Sequence, residues 1–225
     1  SLELLGRQSL PVFCAHIVIA LFTLAFFGST QVVRPWSTDV VLLAGDMAGT
    51  GVMGEDGDPS ELYDFVSTRA AAVHVVQGNH DLPPSTAAAR RTLLRDGCCT
   101  ETRLGPVAGV HGIAAPRTDH PYKKAPAQYE QQVKQALRGQ ARLVMTHAAP
   151  DLGPAGRGDK ALTNAVLRAA PAMHIYGHCH HPVPLTLVRG HAGSVLFVNL
   201  DERVLIWDPI PVQPDGRAEE EATDE

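Results

Sequence analysis

The 225-residue sequence predicts a layered α/β domain. Short apolar runs alternate along the chain with amphipathic segments, which is the pattern of strands that alternate with helices. Hydrophobic residues make up 44% of the chain and charged residues 19%, a composition that supplies a core and excludes global disorder. Residues 40–208 contain no Pro/Gly-rich linker and no internal repeat, so we expect one domain over residues 1–214.

The predicted strands are the short apolar runs that end at turn residues. In chain order they are residues 40–44, 72–76, 107–113, 142–145, 173–176, 195–199 and 204–207. The predicted helices are the amphipathic segments 61–69, 86–95, 127–137 and 160–169. Ser85 is placed to cap the second of these helices, and Gly139 and Pro171 mark the ends of the third and fourth.

The distribution of charge excludes one class of function. Residues 215–225 hold six acidic residues and one arginine, which accounts for the whole net charge of −5. We expect this acidic segment to be a disordered, solvated tail. The rest of the chain is neutral overall and offers no basic surface that would release counterions from DNA or RNA. General nucleic-acid binding is therefore not expected.

The compartment is predicted from the cysteines and from one apolar segment. Four irregularly spaced cysteines do not form a disulfide framework, which favours a reducing cytoplasm. Residues 8–33 contain no Asp, Glu, Lys or Arg, and residues 10–27 are almost wholly apolar, so a signal peptide or membrane anchor is one interpretation. His16 interrupts that run, which favours the other interpretation, a buried strand leading into a buried helix in a protein that does not associate with membranes.

Polar side chains follow four of the predicted strands, three of them directly after a glycine. Because the carboxyl ends of strands in an open α/β sheet meet at one crevice, we expect these side chains to gather. Carboxylate, amide oxygen and imidazole are the mixed donors that hold divalent transition metals. An extended segment 178–180 would direct its two imidazoles to one side and Cys179 to the other, so that neighbouring ligands serve two metals. The predicted cluster is Asp46, Asn79, His80, His147, His178 and His180.

These residues form an ordered set of motifs: G-D at 45–46, G-N-H-D at 78–81, T-H at 146–147 and G-H-x-H at 177–180. Over residues 38–182 the chain resembles the calcineurin-like metallophosphoesterases. The resemblance implies a four-layer αββα sandwich with a binuclear metal centre at the C-terminal edge of the strands. It implies that Asp46 bridges both metals, and that one site is completed by Asn79, His147 and His178.

The resemblance also implies the remaining roles. His180 belongs to the second metal site, and His80 is not a ligand but contacts the phosphate and the leaving group, oriented by Asp81. One motif departs from the family pattern, because the opening D-x-H is replaced here by Cys14, Ala15 and His16. His16 is then a ligand, and Cys14 is either a ligand in place of the Asp or an inert buried thiol. A Cys-for-Asp variant, a diverged N-terminus and an anchor in place of the first strand all remain open.

The segment 102–124 is the best candidate for substrate contacts, because cations beside a metal centre suit a phosphorylated ligand. His181, beside the G-H-x-H motif, is a further candidate to line the pocket, whereas His74, His174 and His191 are predicted to be structural. The candidates within the segment are Arg103, His111, Arg117, His120, Tyr122, Lys123 and Lys124.

The sequence therefore predicts a metal-dependent phosphoesterase, and specifically a phosphodiesterase, that uses water activated between two metal ions. The predicted cofactors are two divalent ions, with Mn favoured by the resemblance and Fe, Zn, Ni or Co as alternatives. The substrate is expected to be a phosphorylated small molecule or a nucleotide. Two alternatives remain open: a phosphomonoesterase, and a weakened family member that binds a partner without catalysis.

Overall fold

The computed structural model describes residues 38–48, 56–87, 90–153 and 158–201. Several sequence predictions fall outside these ranges and are not addressed by the structure. They concern the apolar segment 8–33 with Cys14 and His16, the strand at 204–207 and the tail at 215–225.

The described residues form a small parallel sheet and a larger mixed sheet. The small sheet has the order β1-β2-β3, and its strands are all parallel. The larger sheet has the order β10-β11-β9-β8-β5-β4, with parallel pairing in its centre and antiparallel pairing at both edges. The strands are β1 (Thr38–Ala44), β2 (Ala70–Val76), β3 (Arg91–Leu93), β4 (Cys99–Thr102), β5 (Gly105–Val110), β6 (Ile113–Ala114), β7 (Lys123–Lys124), β8 (Leu143–Thr146), β9 (Met173–Tyr176), β10 (Leu185–Arg189) and β11 (Ser194–Asn199).

The described helices lie in the crossovers that parallel strands require. They are α1 (Ser60–Ser67), α2 (Pro126–Arg138) and α3 (Lys160–Ala169). The α3 helix begins where the Asp159 side chain accepts the backbone N–H groups of Ala161 and Leu162. It ends at Ala170, which adopts a left-handed conformation. None of the described helices is long and apolar enough to cross a membrane.

The core consists of three apolar clusters that follow the alternation of the strands. One joins α1 to the small sheet through Tyr63, Val66, Val73 and Val75 among others. A second joins the two sheets, with Ala44 and Val76 from the small sheet and residues such as Leu143, Met145 and Ile175 from the larger one. The third packs α2 and α3 against the larger sheet, for example through Tyr129, Val133, Leu162, Val166 and Phe197. The sheets are therefore packed face to face, which fixes the relative position of their strand ends.

The helix predicted at residues 86–95 is wrong. Residues 91–93 form strand β3, which pairs with β2, and hydrogen bonds from Val73 to Arg90 and from Leu94 to Val75 extend the pairing. Ser85 does not cap a helix; its backbone N–H lies near the carboxylate of Asp58. The local helix propensity of this Ala/Arg/Leu-rich stretch is overridden because Leu94 is completely buried between the sheets.

The other predicted elements in the described ranges are confirmed to within a few residues. The helix at 160–169 and the strand at 173–176 have the predicted bounds. The strand predicted at 107–113 is displaced, since β5 covers Gly105–Val110 and a separate short pair, β6 with β7, follows. The segment 102–124 therefore contains β5, β6 and β7, with an irregular stretch at 115–122 between the last two.

Candidate metal centre

The predicted metal-type residues lie at the carboxyl ends of parallel strands in both sheets. Asp46 and Asn79 follow β1 and β2 of the small sheet, and His147 and His178 follow β8 and β9 of the larger sheet. Because the sheets are packed face to face, these two pairs approach each other across the interface between the sheets. Asp46, His147 and His178 each present a ligand atom, and these atoms all lie within 4.8 Å of one another.

The turns that carry these side chains require glycine and tolerate backbone strain. Gly45 has φ +88°, and a Cβ atom there would lie 2.5 Å from His147 Nδ1. A Cβ atom on Gly78 would overlap the carboxylate of Asp46. Asp46 and His178 themselves have φ values of 52° and 65°, in the left-handed region that non-glycine residues seldom occupy. Such strain is concentrated at functional sites because the surrounding structure must hold it in place.

His147 is the centre of the cluster. Its Nδ1–H donates to the carbonyl of Ala44 over 2.9 Å, so the opposite ring nitrogen, Nε2, faces inward. Nε2 lies 3.1 Å from Asp46 Oδ2 and 3.1 Å from Asn79 Oδ1. Two oxygens and a nitrogen lone pair at this distance repel one another unless a proton or a cation lies between them. The donor set therefore fits a divalent metal ion.

The electrostatics of the same residues agree with this fit. Burial opposes ionisation of Asp46, but the neighbouring His147 and the backbone N–H of His80 hold the pKa of its carboxyl well below the ordinary value. Burial opposes protonation of His147, yet the Asp46 carboxylate raises the pKa of the imidazole. Partial burial and repulsion from His147 lower the pKa of His178 to about 4. His178 is thus neutral near pH 7, as a metal ligand must be.

His80 lies beside this cluster but its ring points to a residue that sequence analysis missed. Its backbone N–H donates to Asp46 Oδ1 over 2.9 Å, and its ring Nδ1 lies 3.3 Å from Asp56 Oδ1. The His80 side chain is 34% exposed and can be reached from solvent. No sequence motif marks Asp56, because its relation to His80 is created by the fold of the 56–60 segment against the turn after β2.

The resemblance predicts that Asp81 orients His80, and the structure shows which groups the Asp81 carboxylate binds. Its buried carboxylate accepts backbone N–H groups from Met47 and Ala48 through Oδ1 and from Gly78 through Oδ2. Asp81 therefore ties the turn after β1 to the turn after β2 and acts on the backbone, while the His80 ring contacts Asp56. Burial and the nearby Asp46 raise the pKa of Asp81 to about 6, against the lowering effect of these backbone donors.

His180 is not part of the Asp46–His147–His178 group in the described structure. Its side chain is 51% exposed, and its Nδ1 lies 3.8 Å from Oδ2 of Asp201, which follows β11. The predicted extended conformation of residues 178–180 is wrong, since His178 has a positive φ and Cys179 N–H turns back to the carbonyl of Gly177. Cys179 packs against the apolar cluster on the helix side of the larger sheet.

Two of the predicted substrate-contact residues are buried for structural reasons. His111 Nδ1 accepts the backbone N–H of Gln77, and the Lys124 ammonium lies 2.7 Å from Asp96 Oδ2. These side chains fix the segment 111–124 onto the sheets and do not face solvent. Arg103 and Arg117 are exposed, and Tyr122 and Lys123 are partly exposed.

The remaining histidines have distinct surroundings. His120 is buried, with Nε2 3.8 Å from Asp56 Oδ2. His74 and His174 are buried within strands, as their predicted structural role requires, and His191 is exposed. His181 Nδ1 forms a 2.8 Å hydrogen bond with the Tyr176 hydroxyl, a contact that holds the segment after the G-H-x-H motif.

A family model described as a calcineurin-like phosphoesterase superfamily domain matches residues 29–202. No curated protein matches the chain significantly.

Proposed function

The chain belongs to the calcineurin-like phosphoesterase superfamily, and from this premise we propose that it hydrolyses a phosphodiester with the help of two divalent metal ions. Family membership supports metal-dependent phosphoester hydrolysis in general. The observation that carries the proposal for this chain is the approach of His147 Nε2 to Asp46 Oδ2 and Asn79 Oδ1, both at 3.1 Å. Three electron-rich atoms at strand ends form a donor set that a divalent cation would satisfy.

We assign the residues as follows. Asn79, His147 and His178 would hold one ion, and Asp46 would bridge it to a second ion held by His180 and His16. Cys14 would be a ligand of the second ion only if the motif at residues 14–16 replaces the D-x-H of the family. The mixed oxygen and nitrogen donors suit Mn, with Fe, Zn, Ni and Co as alternatives.

The metal ions, when bound, would supply a water of lowered pKa as nucleophile and positive charge beside the phosphoryl oxygens. The chain's own contribution lies with His80. Asp56 accepts from His80 Nδ1, so Nε2 of the imidazolium form would donate to a phosphoryl oxygen or pass its proton to the departing alkoxide. Asp81 maintains the distance between the two turns that carry Asp46 and His80.

The substrate is proposed to be a phosphorylated small molecule or a nucleotide. The segment 111–124 flanks His80 through the contact between His120 and Asp56, and it carries Arg117 and Lys123. These cations would favour a substrate with negative charge beyond the scissile phosphate. We also propose that the helices and the two packed sheets form the four-layer αββα sandwich of the family, within one domain of a cytoplasmic protein.

A paired assay tests the proposal. Bis-p-nitrophenyl phosphate and p-nitrophenyl phosphate are offered to the full chain with Mn, Fe, Zn, Ni, Co and Mg in turn, and Asp46→Asn serves as the inactive control. Faster metal-dependent hydrolysis of the diester supports the proposal. Preference for the monoester would instead assign a phosphomonoesterase. Metal binding without hydrolysis of either ester would assign a binding protein.

A further inference from the structure

The carboxylate of Asp56 lies between two histidines. Its Oδ1 is 3.3 Å from His80 Nδ1, and its Oδ2 is 3.8 Å from His120 Nε2. The Asp56 side chain is 40% exposed, so solvent alone would leave it free to change rotamer. The orientation of Asp56, and with it that of His80, therefore depends on what holds the second oxygen.

His120 is placed to donate a hydrogen bond to Oδ2 of Asp56. The backbone N–H of Tyr122 donates to His120 Nδ1 over 3.2 Å, so in the neutral ring the proton resides on Nε2. The side chain is only 5% exposed, and its Nε2 has no hydrogen-bond partner among the residues that the structure describes. An N–H···O bond measures about 2.9 Å, so a shift of about 0.9 Å would convert the 3.8 Å contact with Asp56 into one. A buried donor without an acceptor favours that shift.

The segment that carries His120 is anchored to the sheets at both of its ends. Lys124 Nζ contacts both Asp96 Oδ2, at 2.7 Å, and the carbonyl of His111, at 2.8 Å. The backbone N–H of Gly112 donates to the carbonyl of Gln77 over 2.7 Å, which anchors the start of the segment next to the G-N-H-D turn. Gly112 has φ +65°, and a Cβ there would overlap the carbonyl of Tyr122, so the chain passes too closely for any other residue.

We propose that His120 is a positioning residue: it fixes the carboxylate of Asp56, which in turn fixes the ring of His80. This inference rests on the proposed function in so far as His80 acts on the substrate. The arrangement His120–Asp56–His80 links a buried imidazole to a solvent-accessible one through a single carboxylate, and only the outer imidazole would contact substrate.

The test measures which nitrogen of the His80 ring carries the proton, independently of catalytic activity. Long-range ¹H–¹⁵N spectra of the metal-free full chain at about pH 8, above the ordinary pKa of histidine, report which ring nitrogen carries the proton. His120→Phe retains a ring but removes the donor, and His120→Gln retains a side-chain N–H. His191→Phe is the matched control, because the turn that carries His191 joins β10 to the beginning of β11, at the end of the sheet opposite the strand ends that carry His147 and His178.

In the wild type, His120→Gln and His191→Phe, the proton of His80 should reside mainly on Nδ1. In His120→Phe both tautomers should be populated, and kcat should fall about tenfold, the scale for loss of an outer-shell partner, with KM and metal content unchanged. If His120→Phe does not fold, His120→Asn, whose side chain is too short to reach Asp56, should give the same result. An unchanged His80 spectrum in the folded variant overturns the proposal, even if kcat falls. Absence of hydrolysis in the wild type would refute the proposed function alone, since the tautomer measurement does not require turnover.

Discussion

The end of strand β1 holds the His147 ring from two sides, because Ala44 accepts its Nδ1–H at 2.9 Å and Asp46 Oδ2 lies 3.1 Å from its Nε2. One strand end thereby fixes both the tautomer and the direction of a ligand that belongs to the other sheet. Metal-binding histidines are commonly fixed through their second nitrogen in this way. The contact makes Asp46 and His147 the first pair to test by substitution.

Asp46→Asn should lower the occupancy of both metal positions and abolish hydrolysis, because Asp46 is the only residue assigned to both ions. His147→Ala should empty mainly the position shared with Asn79 and His178. Metal content per chain and anomalous scattering measure both effects. Full occupancy of both positions in Asp46→Asn would show that Asp46 does not bridge the ions.

His80→Ala should reduce kcat by roughly 10²–10⁴-fold, the usual scale for a lost acid/base group. Metal content should remain unchanged, since the His80 ring contacts Asp56 and lies outside the ligand group. Turnover of the diester and metal analysis of the same preparation provide the two measurements. Loss of an ion from His80→Ala would mean that His80 is a ligand and that its assigned role is wrong.

Asp81→Asn should destabilise the fold by about 1–3 kcal/mol, the cost of leaving a buried donor unsatisfied. An amide offers one acceptor oxygen where the carboxylate offers two, so either Gly78 N–H or the Met47 and Ala48 N–H groups lose their partner. Metal affinity should fall as well, because the two turns separate. Urea unfolding measures the stability, and the exposed Asp119→Asn is the control. Equal stability of the two variants would show that Asp81 does not stabilise the fold by joining the two turns.

The buried His174 should make the protein less stable in acid. Its Nε2–H donates to Thr146 Oγ1 over 2.9 Å, its Nδ1 has no partner among the described residues, and burial lowers its pKa to about 3 from 6.5. Between these two values the unfolded chain binds a proton that the folded chain does not. The stability that the neutral His174 contributes to the folded protein is therefore complete above pH 6.5, and it is lost as the pH falls towards 3.

The free energy of unfolding should change by at most about 1.4 kcal/mol per pH unit because of His174. Urea unfolding across that pH range measures it, and His174→Gln should give a flatter profile than the wild type. His191→Gln, at an exposed position, should retain the wild-type slope. If His174→Gln retains it too, His174 is not the group responsible.

Cys14→Asp tests the departure from the family motif. If residues 14–16 take the place of D-x-H, the ion assigned to His16 and His180 lacks a hard anionic ligand and should bind Mn more weakly than the other ion. A carboxylate matches Mn better than sulfur does, so Cys14→Asp should raise both Mn affinity and activity. Calorimetric Mn titration measures the affinity. An unchanged affinity in the folded variant would remove Cys14 from the site.

Much of the fold could be predicted because its signals are local. The helix at 160–169 has a capping aspartate at one end and a proline after the other, and the strand at 173–176 is a short apolar run between turns. The prediction for residues 91–93 was wrong because local propensity favours a helix there. Their strand conformation depends on pairing with Val73, His74 and Val75, which lie elsewhere in the chain. Sequence periodicity does not contain that pairing.

The candidate site likewise contains residues that could be predicted from the sequence and contacts that could not. Asp46, Asn79, His147 and His178 could be predicted because each ends a strand and the carboxyl ends of strands converge. The contacts of Asp56 and His120 could not, since both residues lie outside motifs and meet through folding of separate segments. The resemblance assigns Asp81 to orienting His80, but it does not reveal that the Asp81 carboxylate accepts backbone N–H groups from two separate turns.

The division of the ligands between the two sheets has a thermodynamic consequence. Asp46 and Asn79 belong to one sheet and His147 and His178 to the other, so an ion held by all four would cross-link layers that are also joined by apolar packing and by hydrogen bonds such as that from His147 to Ala44. Unfolding would separate these layers and destroy the site, so that binding and folding are linked equilibria. At a free metal concentration 100 times Kd, this linkage would add about 2.7 kcal/mol to the free energy of unfolding. The concentration of free metal would then affect the resistance of the protein to unfolding as well as its rate of catalysis.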